Sequence, residues 1–459
     1  MNLKMYQLFT TLVAVMIIPL TTNADLPDNF HLTKLENGLE VLVIEDATVP
    51  LATIEICVKN GAFTESPEYD GLSHLYEHMF FKANKDIPSQ EKFMDRINEL
   101  GIIFNGTTSS ERVNYYITMS NQKLEEGMRF MNSAIRYPLF LEEEMKKENP
   151  VVDGEFQRNE SNPAFFLQDD LAKQLWGENY SRKNTIGDHD IILSATPEKM
   201  RVIKDKYYHP DNSILVVAGD VDHESVFKFA EEIYSDWAPA GFDPFEKYPV
   251  PEFKPLQEDK FFITVNENAR VPIIAIGLHG PDTRNALEAT YAADVFSFIL
   301  GQASSKLQKE LVDTGLALQV SVGYYTNKYT GPIYIYLVPH PTKVREAITA
   351  LYEHIDQWDN DDYFTDQQLE TAKRILAIED TYDRESTSEF VHSVTFWWAV
   401  ASIDYYTNYV KNLNQVSRED IKNFVRTYIK DQPRVTGILV SPEMKTQLGI
   451  TDSELLLKR

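Results

Sequence analysis

The chain has 459 residues, 43% of them hydrophobic and 12% aromatic, a globular composition long enough for two or more cores. Its formal net charge of −26 argues against a nucleic-acid partner and against an anionic membrane surface, since neither gains from meeting more negative charge. The single cysteine, Cys57, excludes an intrachain disulfide and a thiolate metal cluster.

Residues 1–24 read as an export signal: Lys4 supplies the positive start, residues 8–20 an apolar run, and Thr22-Asn23-Ala24 a small-residue cleavage site. The run is short for a membrane-spanning helix and no later stretch approaches that length, so no stable membrane anchor is expected. An exported chain without a disulfide suits a bacterial periplasm. Two strands follow at 30–36 and 39–44, joined by the hairpin signal Asn37-Gly38, and 51–58 is a third, apolar enough to be central.

The next stretch, residues 71–81, sets two histidines four apart with a glutamate before the second. On a helix His74 and His78 share one face, and Glu77 borders it. Two neutral imidazoles with a carboxylate base beside them are what a catalytic zinc site asks of a helix, and the order H-x-x-E-H marks the inverzincins. Ser89 then caps a helix that Gly101 ends, residues 102–108 and 113–119 form a strand pair, and helices follow at 122–136 and from 141 onward. Residues 213–222 read as a buried strand entering a turn, and 224–235 as a helix. Five prolines between 238 and 260 mark a linker.

The second half echoes the first. Residues 271–276 resemble 49–54 at an offset of 222, and 364–369 resemble 140–145 at an offset of 224, as a duplicated domain would. Carried onto the histidine motif, these offsets land within 296–302, which holds no metal ligand. Only the first copy carries the chemistry on this reading.

A catalytic zinc site takes three protein ligands and keeps one position for water. Glu148 and Glu155 lie seven apart, two helical turns, so both face one way; one can ligate while the other supports the site. H-x-x-E-H followed, after the 76 residues 79–154, by Glu155 resembles the pitrilysin/insulinase family of zinc peptidases. So do Asn60-Gly61-Ala62, residues 105–109, Thr185-Ile186-Gly187, residues 208–212 and the V-V-A-G-D-V-D of 216–222. The likeness covers most of residues 30–440 and matches the shorter two-domain members, such as bacterial and mitochondrial processing peptidases.

The resemblance implies an α+β fold of two homologous domains, each a mostly antiparallel sheet with packed helices, facing each other like a clamshell. The expected division is signal peptide 1–24, zinc-bearing peptidase domain 25–237, linker 238–260 and metal-free domain 261–459. It implies one Zn2+ per chain on His74, His78 and Glu155, with Glu77 as general base and Glu148 essential beside it. Asn105 looks like the family asparagine at the scissile bond, and the edge of Gly106, Thr107 and Thr108 would pair with a peptide substrate as an added strand. Two departures stand out. Pro150 and Gly154 interrupt the helix between the two glutamates, which Asn149 capping a restarted helix would accommodate. The family's R-G-L-A-Y reads Thr314-Gly315-Leu316-Ala317-Leu318 here, without the arginine and tyrosine, and Tyr324 and Tyr325 are the nearby substitutes. An oxyanion donor is commonly worth a few kcal/mol. The expectation is therefore a zinc endopeptidase whose homologous partner subunit supplies the Arg/Tyr pair; the alternative is a non-catalytic structural or peptide-binding subunit.

Overall fold

The computed structural model describes residues 26–177, 182 and 184–451. The export signal expected at 1–24 lies outside them. Two mixed sheets organise the rest. The first contains β1 (Phe30–Lys34), β2 (Glu40–Glu45), β3 (Leu51–Val58), β4 (Ile103–Thr108), β5 (Val113–Ser120) and β6 (Ser213–Gly219), in the order β1-β2-β6-β3-β5-β4. The second contains β7 (Lys260–Val265), β8 (Ile273–His279), β9 (Ala317–Tyr324), β10 (Pro332–Pro339) and β11 (Val435–Val440), in the order β7-β11-β8-β10-β9.

Apart from β1, the orders match strand for strand. Among the described residues, the only parallel pair in each sheet joins the first strand of the repeat to the last, β2 to β6 and β7 to β11, and every other pair is antiparallel. The chain is thus two α+β halves of one topology, with β4 and β9 as equivalent edges. The proline-rich connection is not wholly extended: Pro244–Lys247 forms one helical turn, capped by the Asp243 side chain.

β3 is buried on both faces, as its apolar run requires. Ile54 and Ile56 face a core shared with Leu75, Tyr76 and Met79 of the helix Leu72–Phe80, hereafter the histidine helix. Cys57, with Ile214 and Val216 of β6, faces a second core whose other wall comes from the far half of the chain. That wall is the helix Thr387–Val400, which packs Phe390, Val391, Val394 and Trp398 onto the first sheet. Reciprocally, the helix Pro163–Trp176 packs Leu167, Leu171 and Leu175 against Ala275, Val435 and Leu439 of the second sheet. The two helices begin 224 residues apart, the offset of the repeat. Each half therefore covers a sheet of the other, at about 2 kcal/mol for each large side chain buried.

Candidate metal centre

The histidine helix starts where Gly71 adopts φ 87°, a left-handed conformation that glycine reaches without strain. A Cβ at Gly71 would also meet the Ile186 carbonyl oxygen at 2.4 Å. The first turn is capped from a distance: Glu65 accepts from the backbone N–H of Gly71 at 2.8 Å and of Ser73 at 2.7 Å. Burial still pushes the Glu65 carboxyl up to about 8, against those two hydrogen bonds. So anchored, the helix presents the His74 and His78 rings 4.9 Å apart, crossed at 88°.

Glu155 arrives on the helix Glu142–Glu160, which runs unbroken through Pro150 and Gly154. The sequence suggests a restart at Asn149; the structure keeps one helix, because packing outweighs the missing donor. Met145, Val152 and Phe156 are buried on either side of the proline, and Asn149 donates to the Ala195 carbonyl at 3.1 Å. Glu155 Oε2 consequently lies 3.7 Å from His74 Nε2 and 3.7 Å from His78 Nε2. The edge of a tetrahedron with bonds of about 2.1 Å is ~3.4 Å, so this donor set fits a zinc ion. Burial, with the His78 charge second, lowers His74 to about 4 and keeps it a neutral donor.

His78 is oriented from behind. Its Nδ1 donates to Glu148 Oε1 at 2.9 Å, leaving Nε2 for the converging side. Glu148 Oε2 in turn accepts from Lys82 Nζ at 2.5 Å, and both side chains are largely buried. Against burial, which raises it, the hydrogen bonds from His78 and Lys82 hold the Glu148 carboxyl below its ordinary value. Neither Lys82 nor Glu65 was signalled by the motif. Lys82, four residues beyond His78, was legible only as a cation one turn past the second histidine. His74 Nδ1 has no such partner among the described residues.

Glu77, 8% exposed, packs against the edge strand. Its Oε2 accepts from Thr108 Oγ1 at 2.7 Å. Gly106 leaves it room: a Cβ there would meet Glu77 Cγ and Oε1, each at 2.8 Å. Burial raises the Glu77 carboxyl, the Glu155 charge adding to it, against the Thr108 hydrogen bond and the His78 charge. The structure thus gathers His74, His78, Glu155, Glu77, Glu148, Gly106 and Thr108. Strand alternation turns Asn105 and Thr107 to the opposite face of the sheet.

A second group of the same composition, His31, Glu45 and His223, sits at the far edge of the first sheet. Its two rings stack face to face, 3.7 Å apart at 7°, and His223 Nδ1 already donates to Glu45 at 2.8 Å. Parallel rings send their lone pairs past a common point, so this is a hydrogen-bonded stack rather than a metal cradle. The 224-residue offset carries His74, Glu77, His78 and Glu148 onto Phe298, Gly301, Gln302 and Ala372; only Glu155 meets a carboxylate, Glu379, and with both histidines gone the described residues of the second half hold no counterpart centre. Tyr324 spends its hydroxyl on the Pro281 carbonyl at 3.0 Å, and Tyr325 packs edge-on against Phe396. Neither is brought to the histidines by any contact among the described residues.

The family model described as Insulinase (Peptidase family M16) matches residues 40–189, and that of the Peptidase M16 inactive domain matches residues 194–376. An uncharacterized zinc protease of Rickettsia felis is 27% identical over 66% of this chain and 71% of its own length. One of Bacillus subtilis is 25% identical over 76% of this chain and 85% of its own. Among solved structures, a protease from Helicobacter pylori superposes with a TM-score of 0.79 at 22% identity, covering 89% of this chain and 99% of that one. The first half of the periplasmic protease PqqL from Escherichia coli gives 0.75 at 17%, covering 94% and 97%.

Proposed function

Since the chain belongs to the insulinase family, peptidase family M16, we propose that it is a zinc-dependent endopeptidase acting on peptides or unfolded segments. The observation that carries this reading is the convergence of His74 Nε2, His78 Nε2 and Glu155 Oε2 beside the buried carboxylate of Glu77. His74, His78 and Glu155 would hold the zinc, one ion per chain. When bound, zinc supplies a Lewis acid that polarises the scissile carbonyl and acidifies water next to it. Glu77 takes a proton from the attacking water on its carboxylate and returns it to the leaving amine. Burial raises its pKa, so the carboxylate takes the proton more readily than an exposed one would, and the leaving amine, a far stronger base, accepts it back. Thr108 fixes the carboxylate through Oε2, which leaves Oε1, against Gly106, to face the substrate. Glu148 sets the His78 tautomer from the far side. A peptide laid along the free edge of β4 gains main-chain hydrogen bonds with little sequence demand; Asn105, expected at the scissile bond, projects from the face away from Glu77 and takes no part in this step.

Without the family's arginine and tyrosine in 314–318, and with Tyr324 committed elsewhere, the oxyanion is left without those donors. A homologous partner subunit would provide them, making this chain the zinc-bearing half of a heterodimer. Among the described residues no helix is long and apolar enough to cross a membrane; the export signal at 1–24 and the periplasmic setting of the PqqL structure favour a periplasmic site of action.

The test is metal analysis with a peptide-cleavage assay, with and without a candidate partner. Zinc-loaded protein should cleave an unfolded peptide when the partner is added, and Glu77→Gln should bind zinc and lose hydrolysis. Full activity of the lone chain would refute the heterodimer. Zinc binding with no cleavage under any pairing would favour the non-catalytic, peptide-binding alternative.

A further inference from the structure

The sheet face turned away from the histidine helix is apolar over β2 and β6 but polar over β3, β5 and β4. The register aligns Glu55, Tyr116 and Asn105 in one cross-strand row and Cys57, Asn114 and Thr107 in the next. Onto these rows the crossing helix Thr387–Val400 of the second half delivers His392. Its Nδ1 donates to Glu55 Oε2 at 2.7 Å. Glu55 is fully buried, and its Oε1 accepts from Asn114 Nδ2 at 3.0 Å and from Thr395 Oγ1 at 2.5 Å. Arg112 Nη1 locks the same turn, donating to the His392 carbonyl and to Thr395 Oγ1, each at 2.7 Å. The imidazole stands edge-on to Tyr116, ring centroids 4.7 Å apart at 82°.

An apolar helix face would cover this sheet as well, so the polar assembly asks for a reason. An imidazole whose Nδ1 is turned to Glu55 leaves Nε2 for other partners. Here Nε2 lies 3.4 Å from Thr107 Oγ1 on the free edge strand and 3.5 Å from Asn114 Nδ2, and the His392 side chain is 21% exposed. Glu389, one turn earlier on the same helix and exposed, lies near enough to the Tyr116 phenol to add to the effect of burial on it. A peptide strand added to β4 sends alternate side chains to opposite faces. Those on the Gly106 and Thr108 side meet Glu77; those on the other side meet Thr107, Tyr116 and His392. The charged acceptor there is the Glu389 carboxylate, beside His392 Nε2 and the Thr107 hydroxyl, while the Arg112 guanidinium is held by the His392 carbonyl and Thr395.

We infer that His392 is a specificity-determining residue: it forms, with Thr107, Tyr116 and Glu389, a subsite on the back of the edge strand that takes a cationic, hydrogen-bond-donating substrate side chain, lysine or arginine. The inference rests on the reading that peptide substrates lie along β4, and it gives the metal-free half a direct part in choosing them.

The test reads binding rather than turnover. Zinc-loaded Glu77→Gln protein is titrated into fluorescein-labelled unfolded peptides carrying lysine, arginine, norleucine or glutamate at one scanned position, and anisotropy gives Kd. At one register lysine and arginine should bind about tenfold tighter than norleucine, the increment of one charge-assisted hydrogen bond. His392→Ala should reduce that ratio below threefold with zinc content unchanged. Glu389→Gln, an exposed change that leaves the Glu55 cluster intact, should reduce it as well, and it decides the matter if His392→Ala does not fold. No basic preference at any register, survival of the preference in both variants, or equal weakening of all four peptides would overturn the inference. Failure of the peptidase reading shows separately, as absence of cleavage by the protein that retains Glu77.

Discussion

Gly106→Ala isolates the position of the base from everything else in the site. The added Cβ would lie 2.8 Å from Glu77 Cγ and Oε1 and 3.1 Å from Cδ. Ordinary contact begins at 3.4 Å, so the carboxylate must withdraw by about 0.6 Å, and further if the methyl is to sit freely. Withdrawal is constrained, because Oε2 is held by Thr108 at 2.7 Å and the side chain is buried between helix and strand. A reacting group misplaced by ~1 Å costs about 10²-fold in rate, or about 2.7 kcal/mol in the barrier. The three nearest atoms to the new methyl all belong to Glu77, none to His74, His78 or Glu155. The expected result is a fall of about 30- to 100-fold in kcat/KM on an unfolded peptide, from that misplacement cost, with one zinc per chain retained and the melting temperature unchanged or lowered, the crowding of the buried Glu77 outweighing the stiffness alanine gives the strand. A kcat/KM within threefold of the parent would refute the reasoning, since Glu77 would then have slack that the packing denies it. Loss of zinc would refute it differently, by showing that the methyl moves the histidine helix instead of the carboxylate.

Lys82→Met leaves Glu148 buried with His78 as its remaining partner; it should destabilise the fold by about 3 kcal/mol in urea unfolding and weaken zinc binding 10- to 100-fold in a competition titration with a chelating dye. Glu155→Ala should abolish stoichiometric zinc by elemental analysis, and should remove the rise in melting temperature that added zinc gives the parent protein. Stability of the chelator-treated protein should fall between pH 6.5 and 7.5, below the value of about 8 at which the buried Lys59 begins to act oppositely. Glu65 is pushed up to about 8, and Glu111 and Asp294 each to about 7, mainly by burial. Each is thus protonated more readily folded than unfolded, so its contribution is complete below the ordinary carboxylate range and is lost as pH rises through the folded value. His74 and His279, lowered to about 4, act oppositely but only below about 6.5, outside this window. The loss should be on the order of 1–2 kcal/mol, and a flat or rising urea midpoint across that range would contradict it.

The convergence of the candidate ligands was legible because helical spacing is short-range geometry: His74 and His78 share a face whatever packs around them, and seven residues bring Glu148 and Glu155 onto one side of another helix. The repeat was legible where strands kept their apolar runs. What the chain could not announce are contacts across large sequence separations. Lys82 belongs to the site only because a helix some 66 residues later sets Glu148 above it. Pro150 signals a break by local rule, and tertiary packing on Met145, Val152 and Phe156 overrides it. The place of Glu55 was hidden in the same way: a carboxylate in the middle of an apolar strand is unexplained until a helix some 340 residues away brings His392 and Thr395 to it.

That last contact bears on why the two halves stay in one chain when, among the described residues, only the first gathers the candidate ligand set. The second copy has Phe298, Gly301 and Gln302 where the first has His74, Glu77 and His78, so nothing in zinc chemistry preserves it. Its crossing helix is another matter. Phe390, Val391, Val394 and Trp398 cover the back of the sheet whose front supports the histidine helix, and without them Leu42, Ile44, Ile214 and Val216 would face water. At about 2 kcal/mol for each large apolar side chain, uncovering those four would cost about 8 kcal/mol, comparable with the 5–15 kcal/mol that typically separates folded from unfolded protein. The second half can therefore shed ligands freely but cannot shed this helix, and the first half is bound likewise through Leu167, Leu171 and Leu175. The same helix that closes the core carries His392 to the edge strand. Covering the sheet and shaping what lies along its edge are then one structural commitment, which keeps a half without ligands tied to the half that has them.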